Sequence, residues 1–212
     1  MKVRSVEDSV GDSSARPSPV LYNIYINRRA LLLSSIGLAF VPGVLAGDAR
    51  AIPLAPLGRI EREDRKQTGL SPEQVKEILR KDLEEGQYFV TGNLTTTIFD
   101  DSCRFVDPTN DVTGLSRYVK ALSLLFDPLY SSVKLLNIAV TGPRTIEADY
   151  MSGGFLRFPW SPKVEPYQGH VIYTLNEDGL VSVQRQTWDI SPFEALRQSF
   201  TPSGTEPYKV VL

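Results

Sequence analysis

The second half of the chain alternates apolar and polar side chains, and this pattern constrains the fold more than any other feature. Alternation with a period of two predicts strands. The Asp178-Gly179 step lies between two such segments and is a strong signal for a tight hairpin. Strands joined by short turns pair with their chain neighbours, so we expect an antiparallel sheet. A short strand is predicted at Cys103-Arg104-Phe105-Val106, and further strands lie near residues 132–141, 144–151, 154–159, 168–175 and 180–189.

Helical signals come before the strands. The run Ser71-Pro72-Glu73-Gln74 combines an N-cap serine, a proline at the first helical position and a glutamine at the third, which together form a capping box. Apolar side chains then recur at the spacing of one helix face, at Val75, Ile78, Leu79 and Leu83. The predicted helices run from 71 to 86, over 94–99, over 113–126 and over 192–200, with Thr113 as the cap of the third.

Helices followed by strands predict an α+β fold, in which three N-terminal helices pack on one face of a curved antiparallel sheet. We place this domain at residues 71–200. A linker over 52–70 precedes it, with Pro53, Pro56 and Gly58 followed by a run of mixed charges. A C-terminal tail over 201–212 follows it.

The first quarter of the chain has the composition of a targeting segment. Arg28 and Arg29 precede an apolar stretch that carries no charge before Asp48, and the following Ala49-Arg50-Ala51 matches a small-residue cleavage site. The stretch is shorter than the roughly 20 residues of a membrane-spanning helix. The paired arginines predict a twin-arginine export signal. A basic flank on a Sec signal or on a membrane anchor is the alternative.

The residues ahead of the arginine pair are too many for a simple bacterial signal. We therefore interpret residues 1–51 as a chloroplast transit segment followed by a thylakoid-lumen signal, and we expect the mature protein in the thylakoid lumen. Residues 52–212 hold 17 basic and 21 acidic residues, a net charge of −4. This acidic balance gives no reason to expect nucleic acid as a partner. We also expect no integral membrane span in the mature form.

The single cysteine, Cys103, and the single histidine, His170, exclude several kinds of site. One cysteine cannot form an intrachain disulfide or a multi-cysteine metal site, and one histidine cannot supply a two-histidine metal site. The sequence contains no glycine-rich phosphate loop, nucleophile elbow or metal-binding motif. We therefore expect neither a cofactor nor a metal ion.

Several short motifs, in a fixed order, suggest a known superfamily. They are Tyr88, Gly92-Asn93-Leu94, Ile98-Phe99-Asp100-Asp101, Phe105-Val106-Asp107-Pro108, Gly114, Tyr118 and Gln186-Thr187-Trp188-Asp189. Together with three helices ahead of a long meander, this pattern over roughly 71–200 resembles the nuclear-transport-factor-2-like (SnoaL-like) superfamily, and most closely its uncharacterised plant and algal chloroplast branch. The resemblance implies a cone-shaped, cystatin-like or SnoaL-like roll around a pocket. The superfamily includes isomerases, cyclases, dehydratases and binding modules, so fold does not fix function.

Two residues are candidates for acid–base chemistry. His170 lies on a predicted strand, and a histidine beside a carboxylate can transfer protons near neutral pH. Asp107 lies where the resemblance implies a pocket acid, but an aspartate before Pro108 also commonly holds a turn. A structural or solvent-facing role is the alternative for both. An enzyme would require both side chains to point into one closed cavity.

The candidate ligand-binding residues are mostly aromatic. Tyr118, Tyr150 and Trp188 could line a pocket, and Arg185 could pair within it or outside it. Plain packing is the alternative for each of these residues. The run from Phe155 to Trp160 is unusually aromatic and suggests either a docking surface or a hairpin packed on its own sheet.

The leading functional hypothesis is a non-catalytic module of the plastid or its lumen that binds a small apolar ligand or a thylakoid protein. The alternative is a cofactor-independent isomerase, cyclase or dehydratase of SnoaL type, with His170 and Asp107 as acid and base. A second alternative is an interaction scaffold for photosynthetic complexes that uses the aromatic run. The resemblance also implies homodimers as a further expectation.

Overall fold

The computed structural model describes Arg62 and residues 65–212. The predicted targeting residues Arg28, Arg29, Ala49 and Ala51 therefore lie outside the described residues. The helices are α1 (Pro72–Glu84), α2 (Tyr88–Thr91), α3 (Leu115–Leu125) and α4 (Pro192–Phe200). The strands are β1 (Phe99–Val106), β2 (Asp111–Thr113), β3 (Ser132–Gly142), β4 (Thr145–Phe155), β5 (Lys163–Leu175) and β6 (Val181–Trp188). None of the helices described in this part of the chain is long and apolar enough to cross a membrane.

Helix α1 begins as its capping box predicts. The Ser71 side chain accepts a hydrogen bond from the Gln74 backbone, and the Gln74 side chain accepts one from the Ser71 backbone at 2.9 Å. These two bonds satisfy donors that the first turn of a helix otherwise leaves open. Val75, Leu79 and Leu83 are fully buried, so the predicted apolar face is the face that packs on the sheet.

The residues between α1 and α3 contain more strand and less helix than predicted. α2 is one turn long, and the predicted second helix is a 3-10 turn at Thr96–Ile98. Asp100 and Asp101 belong to β1, and Thr113 ends β2, so that Gly114 is the N-cap of α3. β1 and β2 are thus inserted ahead of the third helix. Their partners are distant in the chain, and local helical propensity carries no information about such partners.

The six strands form one sheet in the order β2-β1-β6-β5-β4-β3. All neighbours are antiparallel except β1 and β6, which run parallel with Phe105 opposite Gln184. The sheet is therefore mixed, and the prediction of a wholly antiparallel sheet was wrong for this pair. The alternation within β1 shows that it is a strand but does not encode the direction of its neighbour.

The strands of the second half differ from prediction around residues 152–167, where both β4 and β5 are longer than predicted. The segment 154–159 is not a separate strand, because β4 continues to Phe155 and β5 begins only at Lys163. The β5–β6 hairpin is confirmed, with the Asn176 backbone donating to the Leu180 carbonyl at 2.8 Å. Gly179 adopts a φ of 79°, the left-handed conformation that the turn requires.

The two faces of the sheet have different environments. Along β4 and β5, buried residues alternate with partly exposed ones. The buried set forms the inner face, which packs with α1, α2 and α3 into one hydrophobic core. The partly exposed set forms the outer face and is largely polar. Because successive side chains of a strand point to opposite faces of the sheet, the position of a residue along its strand determines the face on which its side chain lies.

Segments on either side of the predicted 71–200 domain also contact it. Lys66 forms an ion pair with Asp101 at 2.8 Å, and the Gly69 backbone donates to the Asp178 carbonyl. In the tail, Val210 is buried and its backbone donates to the Tyr130 carbonyl.

Candidate functional site

A chain of hydrogen bonds between tyrosines and glutamines crosses the inner face of the sheet. The Tyr88 hydroxyl donates to Gln184 Oε1 at 3.1 Å and lies 2.6 Å from the Tyr173 hydroxyl, so Tyr173 donates to Tyr88. Gln184 Nε2 in turn donates to the Tyr118 hydroxyl at 2.8 Å. All four side chains are buried. Their polar groups are thus satisfied by one another in a water-poor interior.

A second glutamine extends the same chain. Gln186 Nε2 donates to the Tyr118 hydroxyl at 3.4 Å, while Gln186 Oε1 accepts from the Tyr150 hydroxyl at 2.6 Å. The Trp188 indole donates to the same oxygen at 3.4 Å. We call the connected set the interior cluster: Tyr88, Tyr118, Tyr150, Tyr173, Gln184, Gln186 and Trp188.

Local sequence explains how these side chains reach one place. On β6, Gln184, Gln186 and Trp188 occupy every second position and therefore share the inner face. Tyr88 begins a single helical turn, which is flanked by residues in left-handed conformations, Gln87 at a φ of 53° and Gly92 at 74°. These two conformations turn the chain sharply at both ends of α2.

Burial fixes the protonation state of the cluster's phenols. Loss of solvation raises the pKa of Tyr88, Tyr118 and Tyr150 well above the ordinary value of 10.0, and it also raises the pKa of Tyr173. The same effect raises the pKa of the neighbouring Tyr167 to about 12. These groups stay neutral at physiological pH, so they act as hydrogen-bond donors and acceptors and supply no phenolate base.

The interior cluster occupies the space between helices and sheet with its own side chains. The Tyr118 ring stacks on Phe105 with centroids 3.7 Å apart, and the Tyr150 ring lies 4.6 Å from Phe89. A Cβ atom on Gly169 would stand only 2.3 Å from Cζ of Tyr150, so the glycine makes room for this ring. The interior is therefore packed at the place where the resemblance implied a pocket.

His170 lies on the outer face of the sheet, 36% exposed. Its Nδ1 is 2.8 Å from Asp149 Oδ1, on the cross-strand partner residue, and its Nε2 is 3.4 Å from Glu147 Oε2. The histidine thus lies between two carboxylates on an open surface. It does not point into the interior cluster, whose members occupy the opposite face.

Asp107 holds a turn after β1. Its Oδ1 accepts hydrogen bonds from the backbones of Thr109 and Asn110, both at 2.7 Å, and from the Thr109 hydroxyl at 2.8 Å. The carboxylate is thus engaged by its own turn, whereas His170 contacts Asp149 and Glu147 on the outer face. The hydrogen bonds and ion pairs of the described residues therefore do not bring Asp107 and His170 together.

The predicted ligand-binding residues divide between the two faces. Tyr118, Tyr150 and Trp188 meet through Gln186, whereas Arg185 is exposed on the outer face. The sequence places Tyr88 and Gln186 among the residues that carry the family resemblance, but it does not assign them, Tyr173 or Gln184 to the candidate site. The available signal was the spacing Gln184-x-Gln186-x-Trp188, which puts two amides on the same strand face as a large aromatic side chain.

An open cleft of about 430 Å³ lies at one end of the molecule. Part of the aromatic run, for which a docking surface and a packed hairpin are the two interpretations, forms one wall, and the loop between α3 and β3 forms another. Leu129, on that loop, is 71% exposed, and Phe158 stacks on Trp160 with centroids 5.0 Å apart. The Trp160 indole donates to the Ser199 carbonyl of α4 at 3.0 Å. The lining residues are Asp127–Tyr130, Phe155–Phe158, Ser161 and Pro207.

Gly154 shapes the wall of this cleft. It has a φ of 155°, and a Cβ there would stand 2.1 Å from the Ser131 hydroxyl. That hydroxyl bonds both the backbone nitrogen and the carbonyl of Phe155, at 3.1 and 3.2 Å. The close approach fixes the loop that carries Leu129 against the end of β4.

The remaining reactive groups are isolated. Burial raises the pKa of the Cys103 thiol, which keeps it protonated and unreactive. Among the described residues, no group of three or more histidine, cysteine, aspartate or glutamate side chains could hold a metal ion. Within the same part of the chain, the Ser152 hydroxyl is the buried side-chain atom that lacks a hydrogen-bond partner.

Comparison with protein families identifies the chain. It belongs to the family described as Uncharacterized conserved protein (DUF2358), whose profile matches residues 73–183. This range runs from the first turn of α1 into β6 and includes Tyr88, Tyr118, Tyr150 and Tyr173. No curated protein matches the chain.

Similar solved structures are NTF2-like and SnoaL-like fold proteins. A protein assigned as a SnoaL-like polyketide cyclase from a Jannaschia species is 16% identical, with 70% of this chain and 100% of that chain covered and a TM-score of 0.46. An NTF2-like protein from Burkholderia thailandensis is 10% identical, with 63% and 99% covered and a TM-score of 0.48. A hypothetical protein from Catenulispora acidiphila with a ketosteroid isomerase-like fold, in complex with trimethylamine, is 15% identical, with 65% and 100% covered and a TM-score of 0.44.

Proposed function

We propose that the protein is a non-catalytic binding module that holds a protein partner in the open cleft at its aromatic end. The observation that carries this proposal is the concentration of exposed apolar side chains around one concave surface. Leu129 is exposed there and Phe158 lines the wall, while the partly exposed Trp160 stacks on Phe158 beside the cleft. Exposed apolar surface of this kind typically marks an interaction site.

The packing of the interior supports a surface site over an internal one. The tyrosine and glutamine groups of the interior cluster are bonded to one another, and their rings fill the core. A ligand entering there would have to break those bonds without replacing them, which costs about 1–3 kcal/mol for each buried group left unpaired. The cleft needs no such rearrangement.

The enzyme alternative lacks a specific observation in its favour. Proton transfer by His170 and Asp107 requires both groups within reach of one substrate. His170 faces outward between Asp149 and Glu147, and the Asp107 carboxylate is engaged by its own turn. The pair therefore gives no support to isomerase, cyclase or dehydratase chemistry.

The cellular setting is part of the proposal. The arginine pair, the short apolar stretch and the Ala49-Arg50-Ala51 site support export of the mature chain to the thylakoid lumen of a chloroplast. The partner would then be a protein of that compartment, in agreement with a role as a scaffold for photosynthetic complexes.

Mass spectrometry of the protein isolated from its own cells tests the proposed partner and the proposed cellular location together. We expect a mature chain that starts near Ile52 and a single protein that copurifies in constant ratio. Leu129→Ser should abolish copurification, because it removes a side chain that is 71% exposed at the cleft. Phe193→Ser is the matched control, since Phe193 is 76% exposed near the start of α4, and it should retain the partner. A partner that survives Leu129→Ser would contradict the cleft assignment.

A further inference from the structure

The last six residues of the chain lie beside the cleft without forming a helix or a strand. The Tyr208 ring packs on Phe155, and Val210 is buried. Within the described residues, a single backbone–backbone hydrogen bond joins this segment to the domain, from the Val210 nitrogen to the Tyr130 carbonyl at 3.2 Å. We call residues 207–212 the strap, because contacts of side chains, more than a strand ladder, hold this segment in place.

The connection between α4 and the strap is largely exposed and makes only local bonds. In the part of the chain that the structure describes, the hydrogen bonds of residues 202–206 stay inside that segment, between Ser203 and Thr205. Gly204 turns the chain there with a φ of 70°. Detachment of the strap therefore breaks no helix, no strand and no contact of the connection, which is typical of a segment with low local stability.

The surface beneath the first part of the strap presents an apolar wall followed by carbonyl acceptors. The Phe155 ring meets the Tyr208 ring edge-on, with centroids 5.4 Å apart. The carbonyls of Pro128 and Ser131 accept hydrogen bonds from Lys209 Nζ at 3.3 and 2.5 Å. An aromatic ring and then an ammonium group therefore match this surface.

The next residue of the strap is recognised through its backbone and its side chain. The Val210 nitrogen donates to the Tyr130 carbonyl, and the Val210 carbonyl accepts from the Ser132 hydroxyl. The Val210 side chain is 5% exposed, whereas that of Val211 is 86% exposed. The domain thus contacts an aromatic, a basic and an apolar residue in that order, and the side chain that follows them points into solvent.

We propose that the strap is an intramolecular occupant of this surface, and that the partner binds through a segment of the same aromatic–basic–apolar order that displaces the strap. This inference rests on the proposed function, because it names the kind of protein segment that the cleft takes. Such a segment renews each hydrogen bond that the strap gives up, so no buried polar group is left unpaired. Asp127 lines the same cleft, and its carboxylate favours a basic residue over an acidic one.

Binding of a synthetic peptide to the full chain tests this displacement. The peptide comprises residues 206–212 with a fluorescent label at its N-terminus, and fluorescence anisotropy measures its dissociation constant. Because the tethered strap competes at a high effective concentration, we expect the Val210→Ser chain to bind the peptide about tenfold more tightly than the wild type. The matched control is the Val211→Ser chain, which should bind it like the wild type, since this side chain is already exposed.

Variants of the peptide test the order of the groups. On the Val210→Ser chain, a peptide that itself carries Val210→Ser should bind about tenfold more weakly, and one that carries Lys209→Gln should also lose affinity. A peptide that carries Val211→Ser should bind like the parent peptide. The chain truncated after Glu206 provides a second measurement, with circular dichroism to show that it is folded, and it should bind the parent peptide most tightly.

Two outcomes would overturn the proposal. One is equal affinity of the peptide for the wild type, the Val210→Ser chain and the truncated chain, and the other is no saturable binding to either of these two variants. The peptide assay uses no natural partner, so its result is separate from the proposed function. Absence of any copurifying protein would contradict the proposed function alone, whereas failure of the peptide with loss of the partner in Leu129→Ser would contradict only the role of the strap.

Discussion

Gly169 shows how one missing side chain sets the shape of the interior. It lies directly opposite Tyr150 in the β4–β5 register, and both residues face inward. The absence of a Cβ lets the Tyr150 ring lie over the β5 backbone and reach Gln186 at 2.6 Å. A hydrogen bond between β4 and β6, across the strand between them, thus depends on a glycine.

Gly169→Ala should therefore destabilise the fold by about 1–3 kcal/mol, because the new methyl group displaces a ring in a packed core. The free energy of unfolding in urea measures this. Gly142→Ala is the control, since its Cβ would meet the Thr145 side chain at an ordinary 3.4 Å. Equal stability of the two variants would show that the Tyr150 ring can move without cost.

At this scale, the sequence identified only part of the interior cluster. Tyr118, Tyr150 and Trp188 were predicted together, because large aromatic residues on alternating or helical patterns are recognisable. Gln184 and Gln186 were not, since a glutamine on a strand is usually exposed. Gln184 accepts a hydrogen bond from Tyr88, which lies nearly a hundred residues earlier in the chain. The residues near Tyr88 give no signal that predicts this bond.

At the scale of elements, local sequence signals correctly predicted the helix ends that depend on hydrogen bonds between residues close in the chain. α4 begins and ends as predicted, with the Ser191 side chain accepting from the Glu194 backbone and Pro192 in the first turn. β1 and β2 depend on β6 and on each other, so their pairing could not be deduced from their own residues. The unpredicted length of β4 has the same origin, because its last residues pair with the start of β5.

The first turn of α4 should be sensitive to acid. Hydrogen bonds from Arg197 and Gln198 lower the pKa of Glu194 from its ordinary value of 4.5 to about 2. A lowered pKa means that the folded state favours the carboxylate, so this contribution is complete above pH 4.5 and is lost as pH falls toward 2. We expect amide exchange in α4 to accelerate over that interval.

NMR of the Trp160 indole provides a local reporter, because this group donates to the Ser199 carbonyl of α4. Glu194→Gln is the control and should show no such acid transition in α4. An identical transition in wild type and variant would mean that another group controls the helix.

At the scale of the whole molecule, the C-terminal residues behave as part of the domain. The Tyr208 ring packs edge-on against Phe155 with centroids 5.4 Å apart, and Val210 is buried. Lys209 Nζ donates to the Ser131 carbonyl at 2.5 Å. The tail thus joins the end of β4 to the loop before β3, and Pro207 forms part of the cleft.

Removal of residues 207–212 should lower the free energy of unfolding by about 3 kcal/mol, the scale expected for exposing Val210 and part of Tyr208 and Phe155. Urea denaturation measures the loss. Removal of 211–212 alone should change stability by about 0.5 kcal/mol or less, since Val211 is 86% exposed. If the longer truncation lowers the free energy of unfolding no more than the shorter one, the contacts of the tail do not stabilise the fold.

The parallel pairing of β1 with β6 has a consequence for the order of events during folding. Phe99 and Val181 are register partners, and α3 and four strands lie between their two strands in the chain. β1 therefore cannot pair with β6 until almost the entire domain has been synthesised. Closing so large a loop also makes folding slow. Until β6 arrives, Phe99 and Phe105 have no finished core, so the nascent chain exposes apolar surface for most of its synthesis and depends on protection from aggregation.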